Sequence, residues 1–83
     1  MKLLKLPSVL GLTATSRTTH YALIKDGLMT APVSLGVHSV AWPEHEISRL
    51  VAARIAGKSD EEIKQLVLSM MAERNALCQK VDA

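Results

Sequence analysis

Proline or glycine recurs at Pro7, Gly11, Gly27, Pro32, Gly36, Pro43 and Gly57, which keeps the regular elements ahead of Lys58 short. Pro7 suits the first turn of a helix, where its missing N–H has no bond to make. Leu6, Val9, Leu10 and Thr13 recur at helical spacing around it, which predicts a short helix from Pro7 to about Leu12. Met1 to Leu6 alternates and reads as a small strand. Ala14 and Thr15 leave space only for a tight joint. Ser16 is then a natural N-cap, because its hydroxyl can accept from a free backbone N–H of the next turn. A second helix is predicted from Arg17 to about Asp26, with Gly27 as its stop. Two short helices with so brief a joint have the sequence form of a helix-turn-helix.

Beyond Gly27 the period changes. Pro32 argues against continued helix, Val33 and Leu35 alternate, Val40 and Trp42 alternate, and Gly36 to Ser39 lies between the two pairs. That pattern is a β-hairpin, and a hairpin following a helix-turn-helix is a wing. Pro43 can open a third helix that turns Ile47, Leu50, Val51 and Ile55 inward and ends at Gly57. Ser59, followed by Asp60, Glu61 and Glu62, is a capping box with acids at the positive end of the helix dipole. The last helix is expected from Asp60 to about Gln79. Its stripe is Ile63, Leu66, Val67, Met70, Met71 and Leu77, interrupted at Arg74. A helix of this length with a bare apolar face is marginal in water, so the stripe is expected to fold back on the chain or to pair with a second copy in a homodimer. Met70 and Met71 would make such a face adaptable. The expected architecture is mainly α with a small β-hairpin: a winged helix-turn-helix over residues 1–57 and an amphipathic C-terminal helix over residues 58–83.

The chain has 83 residues, near the lower size at which a core supports itself. Nearly half are hydrophobic, yet Tyr21 and Trp42 are the only aromatics and Phe is absent. The core must therefore come from Leu, Val, Ile, Ala and Met, with Trp42 among them. Cys78 stands alone, so no internal disulfide is available and a reducing compartment fits best. The apolar N-terminal stretch is broken by Lys5 and Pro7, which makes it a poor signal peptide. No apolar run approaches the roughly 20 residues of a membrane span. A cytoplasmic protein without a membrane partner is expected. Residues 1–58 carry seven cations against three anions, a net of +4, whereas residues 59–83 carry three against five, a net of −2. A basic body with an acidic tail suits a polyanionic ligand for the body alone.

The stretches LKLPSVLGLTATSRTTHYALIKDG, APVSLGVHSVAW and PEHEISRLVAARI together resemble the AlpA family of prophage regulatory proteins. The resemblance runs over roughly residues 3–56. It is carried by the Leu-Pro before the first helix, the Ser-Arg-x-Thr-x-Tyr opening of the second, the Pro-Val-x-Leu-Gly entry to the wing, and Trp42 followed by Glu46. It implies a small winged helix-turn-helix related to phage excisionases and to the MerR-like fold. It also implies binding to double-stranded DNA, as a transcriptional regulator or as a recombination directionality factor beside an integrase. RNA polymerase or integrase would then be the protein partner, and the protein would be nucleoid-associated when bound. Three positions depart from the family pattern: His20 where an apolar residue is usual, Ala22 where a basic one is common, and His38 near the place of a wing arginine.

On the second helix, His20, Leu23 and Ile24 share one face, and Leu23 and Ile24 belong to the core. Arg17, Thr18, Thr19, Tyr21 and Lys25 are the candidate DNA-contacting residues, since the N-terminal part of a recognition helix meets base edges. Arg17 can pair with guanine O6 and N7 together. Thr18 can meet a base or a phosphate, the Tyr21 hydroxyl a phosphate, and Lys25 a phosphate that sets position. His38 and Ser39 on the wing, with Lys2 or Lys5 if the first strand pairs with the hairpin, are candidates for the adjacent groove or backbone. His20, His38, His45 and Cys78 have no metal-finger spacing. Glu44 and Glu46 are expected to serve the dipole of their helix. Ser16 has no base at a recognisable spacing and no glycine-rich phosphate loop is present. Neither an enzyme, a metal nor a cofactor is expected. The alternative is a protein-interaction module working through the stripe Ile63, Leu66, Val67, Met70 and Met71, with weak or no specific DNA binding.

Overall fold

The computed structural model describes the backbone of residues 1–82 and the side chains of residues 1–77. Cys78 lies outside the described side chains. The order is β1 (Leu3–Leu4), α1 (Leu6–Thr13), α2 (Arg17–Lys25), β2 (Val33–Gly36), β3 (Ser39–Pro43), α3 (Glu44–Ile55) and α4 (Asp60–Asp82). It is a mostly helical protein with a small antiparallel sheet in the order β1-β3-β2, a winged helix-turn-helix with a further C-terminal helix.

Each helix ends for a local reason. The α1–α2 joint turns on Ala14 at φ 56°, a left-handed conformation more usual for glycine, and the Thr15 N–H donates to the Leu10 carbonyl at 3.2 Å. At the end of α2, Gly27 takes φ +78°. The Gly27 N–H donates to Ile24 O at 3.2 Å and the Leu28 N–H to Leu23 O at 2.8 Å, the paired bonds of a Schellman motif. The same pair recurs after α3, from Gly57 to Arg54 and from Lys58 to Ala53. At the start of α4, the Ser59 hydroxyl accepts from the Glu62 N–H at 3.2 Å while the Glu62 carboxylate accepts from Ser59. Those bonds, the backbone one foremost, hold the Glu62 carboxyl below its ordinary pKa.

Leu4, Val9, Met29, Trp42, Ile47, Leu50, Ile63, Val67 and Met70 form one buried cluster, with Leu23 and Ile24 packed against it. Trp42 is its largest member, and its indole N–H donates to Thr30 O at 2.9 Å. Ile63, Val67 and Met70 of α4 are fully or nearly fully buried inside this chain's own core, and Leu66 and Met71 pack at its margin. Arg74 is not a break in that stripe. Its guanidinium donates to both oxygens of Glu46, at 2.8 and 2.7 Å, and to Ala31 O at 2.8 Å. Glu46 is 0% exposed. Its expected role at the helix dipole is therefore corrected: it is the buried partner of an arginine that ties α4 to α3 and to the entry of the hairpin. Ile55 also departs from expectation, being 82% exposed. α1 stops at Thr13 and leaves the last turn of α3 uncovered, so Ile55 and Leu12 stand at the rim of a shallow apolar cleft floored by Leu23, Leu28, Leu50 and Val51.

Candidate nucleic-acid interface

Ser16 fixes where α2 begins. Its Oγ accepts from the Thr19 N–H at 3.2 Å and donates to Thr19 Oγ1 at 3.0 Å. Thr19 is exposed, but one side of its hydroxyl is engaged by the cap. Arg17, Thr18, Tyr21, Ala22 and Lys25 are all exposed. Arg17, Tyr21 and Lys25 follow at four-residue intervals and so form one line along the outside of the helix. The Arg17 guanidinium lies 5.9 Å from the centroid of the Tyr21 ring, within cation–π range.

Beneath that line the helix is anchored by His20, which is 0% exposed. Its ring stands edge-to-face against Tyr21, at 5.4 Å and 80°, and against Trp42, at 4.8 Å and 77°. Among the described residues, neither imidazole nitrogen has a hydrogen-bond partner, nor does the Thr30 hydroxyl. Burial pushes the His20 pKa down, because the charged ring would lose its hydration without gaining a counter-charge. The ring is thus a neutral packing group.

At the wing, β2 and β3 pair with Val33 opposite Ala41 and Ser34 opposite Val40, and Val37 and His38 form the turn. His38 sits at φ 63°, and Val37 is 85% exposed at the tip. Because β1 pairs with β3, Leu3 opposite Pro43 and Leu4 opposite Trp42, the following Lys5 reaches the hairpin. Its ammonium donates to Ser39 Oγ at 2.6 Å. Of the two wing candidates, His38 is open and Ser39 is already held by Lys5.

The cations sort into two groups. Lys2, Arg49, Arg54, Lys58, Lys64 and Arg74 each lie within 4 Å of a carboxylate, on Glu44, Glu73, Asp60, Glu62, Glu61 and Glu46 respectively. Among the described residues, Lys5, Arg17 and Lys25 have no such partner. Two of these flank the exposed line of α2 and the third is at the base of the wing. Sequence reading placed Arg17 and Lys25 there. It left Lys5 conditional on strand pairing and gave no sign of the Arg17–Tyr21 contact. Among the described residues no set of three or more His, Cys, Asp or Glu side chains is grouped to hold a metal ion, and no helix is long and apolar enough to cross a membrane.

A tight two-helix joint, a capped second helix with an outward polar line and an adjoining hairpin define a winged helix-turn-helix. Over residues 2–55 the chain matches the model of the family described as Prophage CP4-57 regulatory protein (AlpA). It belongs to the AlpA family of prophage regulatory proteins. It is also similar to the uncharacterized protein ORF88 of Enterobacteria phage P4, 42% identical over 57 residues. That match covers 69% of this chain and 65% of the phage protein. No solved structure matches the chain.

Proposed function

We propose that this prophage regulatory protein acts by binding double-stranded DNA sequence-specifically, with the outer line of α2 in the major groove and the wing against the neighbouring backbone. The observation that carries the reading is the grouping of cations. Every other described Lys or Arg side chain has a carboxylate within 4 Å, whereas Lys5, Arg17 and Lys25 have none and can meet an external anion. Arg17 is the base-reading residue, through a bidentate pair to guanine, and Thr18 stands beside it. Tyr21, Lys25 and Lys5 fall nearest to phosphates, which set register and orientation. Thr19 on α2, with Ser39 and His38 on the wing, are further candidate contacts in this reading.

Such a complex serves either a transcriptional regulator or an excision factor, since both need the same groove contacts and a duplex whose bending energy depends on sequence. An integrase gene beside this one favours excision and an integrase as partner. Selection of bound duplexes from a random pool, at two salt concentrations, tests the proposal. An enriched motif whose affinity falls steeply with salt is expected, and Arg17→Ala should cost about 1–3 kcal/mol on that motif. No enrichment at low salt would refute it. A protein-contact role has one observation in its favour, the apolar cleft with Leu12 and Ile55 exposed at its rim. Binding through that cleft would be nearly indifferent to salt.

A further inference from the structure

Arg17 lacks the usual means of holding an arginine still. It is the first residue of α2, no acidic residue lies in that first turn, and no carboxylate comes within 4 Å of it among the described residues. A long side chain with that freedom loses much rotamer entropy when it is fixed on a base. What it does have is the Tyr21 ring at 5.9 Å. That ring is itself seated on the core. Tyr21 packs edge-to-face on His20, His20 packs edge-to-face on Trp42, and the Trp42 N–H is bonded to Thr30 O. A continuous run of aromatic contacts therefore leads from the centre of the molecule to the guanidinium.

We infer that Tyr21 is a positioning residue for Arg17: its ring face, rather than its hydroxyl, holds the guanidinium along the outside of α2 so that it meets a base edge already oriented. The inference rests on the DNA-binding reading for its consequence, while the contact itself exists in the free protein. The Tyr21 hydroxyl is not needed in this role, because the face of a phenyl ring attracts a cation in the same way.

Two measurements on the full chain test it separately. In the free protein, the Arg17 Hδ protons should resonate upfield in wild type and in Tyr21→Phe, and return to the unshifted position in Tyr21→Leu. On the duplex enriched from a random pool by the wild-type chain, the base pair to which Arg17→Ala becomes indifferent marks the position Arg17 reads. Tyr21→Phe, which gives up the phosphate contact of the hydroxyl and so binds every duplex more weakly, should keep the wild-type ratio of affinities between base pairs at that position. Tyr21→Leu should lose about two- to fivefold of it, the worth of an exposed cation–π contact, and should add no further loss at that position to Arg17→Ala. An unshifted Arg17 in wild type would overturn the inference. So would a Tyr21→Phe loss of that ratio as large as that of Tyr21→Leu, which would make the hydroxyl the determinant. If Arg17→Ala alters no base pair, the DNA-reading role of Arg17 fails. If it alters one and Tyr21→Leu does not, only the positioning role fails.

Discussion

His20 couples the fold to acid through a buried imidazole. Its ring is buried beside Trp42 with both nitrogens unpartnered among the described residues, and its pKa is lowered by burial. The unfolded chain takes up a proton as pH falls below the ordinary 6.5, while the folded ring stays neutral to lower pH. The unfolded state then binds more protons, so this part of the stability is complete above 6.5 and is lost as pH drops through it. The slope from this one group cannot exceed about 1.4 kcal/mol per pH unit, the worth of a single proton. His20→Leu should remove that dependence, which urea denaturation at pH 7 and pH 5.5 would reveal as a smaller difference between the two. At pH 7 the same change should raise stability by about 1 kcal/mol, since a buried unsatisfied polar group costs more than an edge-to-face ring contact returns. A wild-type acid slope retained in His20→Leu would show that another group is responsible.

Among the elements, α4 is held to the winged fold by its apolar stripe and by the Glu46–Arg74 pair. Its apolar stripe was legible in the sequence from spacing alone, as were the Ser16 cap, the Ser59–Glu62 capping box and the glycine stops at Gly27 and Gly57, because each is a local rule with a local cause. The Glu46–Arg74 pair was not legible: its partners are 28 residues apart, and nothing local tells a carboxylate in a helix's first turn that it will be buried. The one available signal was Arg74 itself, a charge at a stripe position, which demanded a partner. Ile55 fails for the converse reason, since helical spacing says which face it is on but not whether another element reaches that far. Arg74→Ala should cost about 3–5 kcal/mol in denaturant unfolding, because it strands the Glu46 carboxylate in the core. The double change Glu46→Leu with Arg74→Met should restore most of that loss. An Arg74→Ala cost under 1 kcal/mol would mean that Glu46 is reached by water.

For the whole molecule, we propose that α4 completes the winged domain rather than following it as an appendage. Deleting residues 59–83 would remove Ile63, Val67 and Met70 from the cluster that also holds Trp42, Ile47 and Leu50. The shortened chain should lose its cooperative thermal transition; a sharp transition near the wild-type temperature would show that residues 1–58 fold alone. Distribution of charge at this scale matters as much as packing. Among the described residues, the Lys and Arg side chains of α3 and α4 lie in ion pairs, and those of α2 and the wing base have no carboxylate partner. Sequence composition held the excess of positive charge in the first 58 residues but could not say which members of it were neutralised, since pairing depends on contacts made across the fold. The most direct measurement is amide chemical-shift mapping of the labelled full chain during titration with the duplex it enriches from a random pool. The largest changes should fall on Arg17 to Lys25 and on Gly36 to Ser39. Changes gathered instead around Leu12, Leu28 and Ile55, with the outer line of α2 silent, would contradict the account.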